Sequence, residues 1–155
     1  EVDILILSTR GRYGLKMMLE LALNYGKGAM PLKDIANKQS LSDTYLEQLI
    51  SPLRQSGLVT STRGAQGGYE LAKEPSKIKV GEIIRILEGS LAPAECVLES
   101  EPECSKADYC ATRLLYEKIT EGINNVIDSI NLQDMVDDYH RLNNNTNIKR
   151  RNEDE

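Results

Sequence analysis

The sequence predicts a mainly α-helical chain with one small β-wing: a winged helix-turn-helix unit followed by a long C-terminal helix. Three observations predict it: two short amphipathic helices joined by a polar turn over residues 31–57, a glycine-punctuated hairpin pattern over 58–71, and an apolar helical period that returns at Ala111. No internal run of about 18 apolar residues exists, so no transmembrane helix is predicted.

Ser8 is placed to cap the first helix. Its apolar residues Tyr13, Leu15, Met17, Met18, Leu21, Ala22 and Tyr25 recur at helical spacing until Gly26 and Gly28 end it. Pro31 opens a second helix, since its missing N–H would be an orphan there anyway, and Leu32, Ile35 and Ala36 share one face. After the polar turn Asn37–Ser40, Ser42 is the N-cap of a third helix, with Leu41 and Leu46 forming a hydrophobic staple. Leu46, Leu49, Ile50 and Leu53 form its inner stripe and Gly57 its left-handed stop, leaving Asp43, Thr44, Glu47, Gln48, Ser51 and Arg54 outside.

From Leu58 to Arg63 the pattern turns β-like, Gly64–Gly68 holds three glycines in five residues, and Tyr69–Leu71 pairs back, with Arg63 near the tip. Val80–Leu87 predicts a short helix ended by Gly89 and expected to cover the back of the wing. Leu114, Leu115, Ile119, Ile123, Val126, Ile127 and Ile130 then mark an amphipathic helix of roughly twenty residues, about 30 Å long. That is longer than a small winged unit needs for its own core, so a two-fold dimer seam is expected, with intramolecular packing as the alternative. Asn131 is read as the N-cap of a short last helix, Leu132–Tyr139, and the polar stretch from Arg141 as disordered. Glu1–Ile6 is left outside the predicted fold. Val2–Leu7 is too short, and preceded by the wrong charge, for a signal peptide, so a soluble cytoplasmic protein is expected.

A helix presenting Thr, Glu and Gln beside a hairpin presenting Arg suits duplex DNA: base edges in the major groove, phosphates or the minor groove beside it. The bland alternative is a small α/β core with a polar surface. The overall charge of −5 hides a division that supports the first reading. Residues 8–90 hold 12 Lys and Arg against 8 Asp and Glu, whereas residues 91–140 hold 3 against 11. The basic front can meet phosphates while the acidic rear faces away. Arg10, Arg12 and Lys16 near the start of the first helix are further candidates for phosphate contacts.

All three cysteines, Cys96, Cys104 and Cys110, fall within fifteen residues of a proline-containing loop without hydrophobic period. An odd number excludes a fully paired disulfide framework within one chain. Close C-x₂₋₄-C pairs of the kind zinc sites use are absent, whereas an iron–sulfur cluster accepts widely spaced thiolates. Reduced cysteines without a shared role, or a metal-free thiol switch, remain open beside the cluster. Three thiolates leave a position for another group: His140 lies far along the chain, and Glu99, Glu103, Asp108, Glu47, a partner chain or a small molecule are the other donors considered.

The stretches LSTRGRYGLKMMLELA, LSDTYLEQLISPLRQSGLVTSTRGAQGGYEL and GEIIRILEG resemble the Rrf2 family of bacterial transcription regulators, the IscR/CymR/NsrR group, across residues 7 to about 139. The resemblance implies a non-enzymatic, dimeric winged helix-turn-helix repressor or activator acting on a pseudo-palindromic operator in double-stranded DNA. It divides the chain into a DNA-binding domain at 7–90, a cluster-binding loop at 91–110, a dimerisation helix and short final helix at 111–140 and a tail at 141–155. The cysteine triad resembles the family's iron–sulfur branch, which implies that Cys96, Cys104 and Cys110 are cluster ligands, with [2Fe-2S] preferred over [4Fe-4S]. It also implies recognition-helix roles for Thr44, Tyr45, Glu47 and Gln48, and a minor-groove role for Arg63 and Gly64 in the wing.

Two positions depart from the family pattern. The histidine that supplies the fourth ligand three residues after the last cysteine is replaced by Arg113, and the aspartate used on the first helix in another branch is replaced by Arg12. The expectation is therefore a regulator gated by an iron–sulfur cluster that senses cluster status, iron or oxidative stress. The alternative is a metal-free regulator gated by thiol oxidation or by a partner enzyme, as in the CymR branch. An electron carrier or enzyme is the weakest reading, because no catalytic base, nucleophile or substrate pocket is recognisable.

Overall fold

The computed structural model describes residues 7–98 and 103–153, with side chains as far as Thr146. Residues 1–6, left out of the predicted fold, lie outside the described residues. The elements in chain order are helices α1 (Thr9–Leu23), α2 (Leu32–Gln39) and α3 (Asp43–Gln55), strands β1 (Val59–Thr62) and β2 (Gly68–Leu71), and helices α4 (Val80–Glu88), α5 (Ala111–Ser129) and α6 (Leu132–Glu153). Short 3₁₀ turns stand at Pro75–Lys77, Glu95–Val97 and Ala107–Tyr109.

The amphipathic stripes predicted in the first half converge. Met17, Met18 and Leu21 of α1, Ile35 of α2, Leu46, Leu49 and Leu53 of α3 and Ile83 of α4 are almost completely buried in one core. Ser8 and Ser42 cap as expected, their hydroxyls accepting from the Gly11 and Tyr45 amides. Pro52 stands inside α3, and its missing N–H removes the bond to the Gln48 carbonyl without ending the helix.

The wing is a two-stranded antiparallel hairpin in which Val59 faces Leu71 and Thr62 faces Gly68. Met30 adds a third contact: it exchanges two 2.8 Å backbone hydrogen bonds with Tyr69, which pins the hairpin to the segment between α1 and α2. Gly68 permits this, because its φ is +153° and a Cβ there would collide with the Met30 carbonyl.

Three expectations are corrected. α4 does not cover the back of the wing. It packs on α1, α3 and α5, while β1 and β2 lean on α3 and α1. The physical reason lies in α1, where Gly11 and Gly14 leave no side chain under the end of α4, so that Glu88 and Leu87 seat directly on its backbone. The last helix does not stop at Tyr139, and residues 141–153 are helical rather than disordered. No Gly or Pro interrupts α6, and side-chain bonds from Asn143 to the Tyr139 carbonyl and from Thr146 to the Leu142 carbonyl run along its turns.

Asn131 caps α6 by a reciprocal pair: its Oδ1 accepts from the Asp134 amide and the Asp134 carboxylate accepts from the Asn131 amide, both at 2.9 Å. Strand-like bonds of 2.9 Å from Val80 to the Ile130 carbonyl and from Leu132 to the Ile78 carbonyl fasten the α5–α6 junction to the start of α4. Leu132 and Val136 then enter the common core.

Candidate nucleic-acid interface and cysteine loop

α3 presents its outer face as the pattern predicted. Asp43, Thr44, Glu47, Gln48 and Arg54 are exposed and Ser51 is half-buried. Tyr45 differs from its neighbours: half-buried, it meets Tyr13 of α1 edge to face, with ring centroids 6.1 Å apart, and Lys16 lies 5.2 Å from the Tyr13 ring. The start of α1 is thereby held beside the start of α3. Arg63 and Gly64 are exposed at the tip of the wing, next in the chain after β1.

The basic residues of α1 divide their tasks. Arg10 directs its Nε to the Leu87 carbonyl at the end of α4, 3.0 Å away, and Arg12 sends Nη2 to the Thr9 hydroxyl at 3.4 Å. Both remain exposed, so their outer N–H groups can still face solvent or a phosphate.

α5 lies antiparallel to α4, with Arg85 gripping Asp128 through two 2.8 Å bonds and Asn124 through one of 2.9 Å. The contact holds Asp128 below the ordinary aspartate range, chiefly by the Arg85 hydrogen bond. Because Arg85 meets the last turns of α5, the first turns of α5 run past the end of α4 by roughly 15 Å at helical rise. The cysteine loop sits at this outlying end.

The apolar residues of α5 split between two faces. Ile123 and Ile127 are half-buried, whereas Leu115 and Val126 are 52% and 58% exposed. Leu115, Ile119, Gly122 and Val126 follow one another at spacings of four, three and four, the seam pattern of paired helices. No residue of α5 is fully buried.

In the loop, Cys96 and Cys110 are half-buried and Cys104 is exposed; all three are free thiols. Cys110 stands at the N-cap of α5, its sulfur 3.1 Å from the Thr112 hydroxyl. That hydroxyl first, and the Arg113 amide second, hold the Cys110 thiol below its ordinary pKa. Arg113 acts as a staple: Nε donates to the Cys96 carbonyl at 3.1 Å, Nη1 to the Ala107 carbonyl at 3.4 Å, and Glu117 lies 3.5 Å away. Asp108, Tyr109, Cys110, Arg113, Leu114 and Glu117 line a cavity of about 340 Å³ beside it.

Among the described residues no three His, Cys, Asp or Glu side chains are grouped closely enough to hold a metal ion. A guanidinium has no lone pair to offer a metal, so Arg113 cannot replace the family's histidine as a ligand. His140 lies against Tyr139 and lines a different, 480 Å³ cavity with Glu20, Asn24, Lys27 and Lys38 at the far end of α1. That end is roughly 20 Å along the helix from the seat of α4 that leads into the cysteine loop, so the sole histidine is no partner for the thiols of its own chain. Glu99 lies outside the described residues. Among the described residues the donor set does not fit a cluster in this conformation.

Four residues escaped the sequence reading: Arg113 as a staple, Glu88 as a helix cap, and Gly11 and Gly14 as a pair. The glycines alone left a signal, small residues three apart on a helix face, which marks close approach of another backbone or side chain.

Residues 7–138 match the protein family described as "Rrf2: Iron-dependent Transcriptional regulator". The HTH-type transcriptional regulator CymR of Bacillus subtilis (strain 168) is 48% identical over 130 residues, covering 84% of this chain and 88% of that protein. The structure of CymR, titled the global cysteine regulator of B. subtilis, covers 86% of this chain and 98% of its own with a TM-score of 0.73 at 46% identity. The T. potens IscR structure covers 86% and 88% with a TM-score of 0.72, also at 46% identity. The HTH-type transcriptional regulator IscR of Klebsiella pneumoniae (strain 342) is 39% identical over 136 residues, 88% of this chain and 82% of that protein. These relatives are transcription regulators and not enzymes. No helix among the described residues is long and apolar enough to cross a membrane.

Proposed function

Because the chain belongs to the Rrf2 family of transcription regulators, whose winged helix binds DNA, we propose that two copies pair along α5 and bind one pseudo-palindromic duplex, with the cysteine loop receiving the regulatory signal. The carrying observation is the division of labour between α3 and α5. One offers a polar outer face beside an arginine-tipped wing, and the other offers an apolar seam in which Leu115 and Val126 stay exposed among the described residues. Thr44, Glu47 and Gln48 would meet base edges, with Glu47 accepting from cytosine N4 and repelling phosphates. Tyr45 would set the angle of α3 through Tyr13, and Arg63 with Gly64 would enter the minor groove.

For the signal, the thiols of the loop acting without metal are the first reading. Arg113 closes the loop with backbone bonds and Thr112 favours the Cys110 thiolate. A hydroperoxide would transfer one oxygen to this thiolate, giving the sulfenic acid and releasing water or alcohol with a proton from solvent. The 48% identity to a protein named CymR supports the same order.

The iron–sulfur reading is second, favoured by three cysteines in one loop and by the likeness to proteins named IscR. In it Cys96, Cys104 and Cys110 would hold the cluster as thiolates once the Arg113 staple opened, and a donor from outside the chain would complete the set. The cluster would supply a centre whose gain or loss reshapes the loop.

An anaerobic absorption spectrum of the purified protein with iron and sulfide assays tests the order. Colourless, iron-free protein that resists reconstitution and whose DNA affinity changes on peroxide treatment supports the thiol reading. Thiolate-to-iron bands with matched iron and sulfide would overturn it in favour of the cluster.

A further inference from the structure

Three hydrogen bonds join the end of α4 to the start of α1. Glu88 Oε1 accepts from the Ser8 hydroxyl at 2.5 Å and from the Gly11 amide at 2.9 Å, and Arg10 Nε donates to the Leu87 carbonyl at 3.0 Å. Each helix end supplies what the other lacks: α1 has orphan N–H groups at its start and α4 has orphan carbonyls at its end. The charges agree, with a carboxylate at the positive end of one helix and a guanidinium at the negative end of the other. The seat has no room for a side chain, since a Cβ on Gly11 would fall on the Glu88 carboxylate and one on Gly14 on the Leu87 side chain.

This junction stands between two neighbourhoods. On one side Tyr13 packs on Tyr45, so the first turns of α1, with Arg10 and Arg12, flank the start of α3. On the other, the chain passes through Gly89 directly into the segment that carries the cysteines. A single carboxylate therefore fastens the root of the cysteine segment to the basic helix end beside the groove-reading helix.

We infer that Glu88 is a positioning residue for DNA binding: by capping α1 it holds Arg10 and Arg12 where they meet the phosphates flanking the groove that α3 enters. The inference rests on the DNA-binding reading proposed above. A group that only stabilised the fold would lower the folded fraction and leave the number of neutralised phosphates unchanged. A positioning group changes that number, which is read as the slope of log affinity against log salt.

The test uses the full chain, wild type, Glu88→Ala and Glu88→Gln, titrated onto a labelled duplex of about 30 bp between about 50 and 200 mM salt. Circular dichroism and hydrogen exchange at the Gly11 amide run in parallel. Glu88→Ala is expected to stay folded, lose Gly11 protection, show a salt slope shallower by about one to two and bind several-fold more weakly. Glu88→Gln, whose amide oxygen still accepts both bonds, is expected to keep the wild-type slope. A wild-type slope and affinity in Glu88→Ala with Gly11 protection lost would overturn the inference. Should Glu88→Ala not fold, Ser8→Ala removes one of the two bonds to Glu88, together with the weak 3.5 Å cap bond from the Gly11 amide, and is expected to move the slope the same way by less; an unmoved slope overturns the inference. Wild-type protein that binds no duplex at the lowest salt refutes the DNA-binding reading itself. Wild-type binding that Glu88→Ala or Ser8→Ala leaves unchanged refutes only the role of Glu88.

Discussion

Leu115→Asp is the sharpest probe of the pairing surface. Leu115 is 52% exposed, lies in the four-three-four seam with Ile119, Gly122 and Val126, and belongs to a helix without a fully buried residue, so the substitution leaves the core of the single chain untouched. Fully burying a leucine contributes about 1.5–3 kcal/mol, so covering the exposed half contributes about 1 kcal/mol per copy. A two-fold interface counts it twice, about 2 kcal/mol, which is about thirty-fold in the dissociation constant. Two carboxylates forced into an apolar seam add a desolvation penalty of at least about 1 kcal/mol each. The dimer is therefore expected to weaken by about three orders of magnitude. Sedimentation velocity over a concentration series, with circular dichroism to confirm unchanged helix content, reads the effect. A variant that associates as tightly as the wild type would refute α5 as the seam.

The remaining predictions concern the other contacts. Arg63→Ala is expected to weaken specific DNA binding by about 1–3 kcal/mol by fluorescence anisotropy at fixed salt; unchanged affinity removes the wing from the readout. Thr112→Val takes away the main influence that lowers the Cys110 thiol, so alkylation of Cys110 at pH 7, followed by mass spectrometry against Cys104, should slow roughly two- to fivefold. Asp128 is held below the ordinary value of 3.8, so its contribution to the α4–α5 contact is complete above that value and is lost as pH falls through the lowered one. The stability gap between wild type and Asp128→Asn, from urea melts, should be constant around neutrality and close below about pH 4. A gap that stays constant down to pH 2 would show that the Arg85 pair is not its source.

The elements of the DNA-binding half were legible because each carries its own start and stop. Ser8 and Ser42 cap, Gly57 terminates, and the apolar residues recur at helical spacing up to these marks. The outer face of α3 followed from the inner one. Where α4 docks was not legible, since an amphipathic stripe says that a face is buried and not what buries it; two glycines on another helix decided that. The length of α6 was hidden by Asn143, Asn144 and Asn145, poor helix formers by propensity, two turns beyond the last apolar contact. The cysteines were visible as a group from spacing alone. The staple that shapes their loop was not, because Arg113 acts through backbone carbonyls of Cys96 and Ala107, which no side-chain pattern records.

The most direct test is selection of duplexes from a random pool by the reduced protein at controlled salt. Enrichment of a pseudo-palindrome is expected, its half-sites about 10 bp apart, or a multiple of it, centre to centre, with the preference weakened by Arg63→Ala. A pool that emerges without any enriched sequence, bound only through a salt-sensitive nonspecific term, would contradict it.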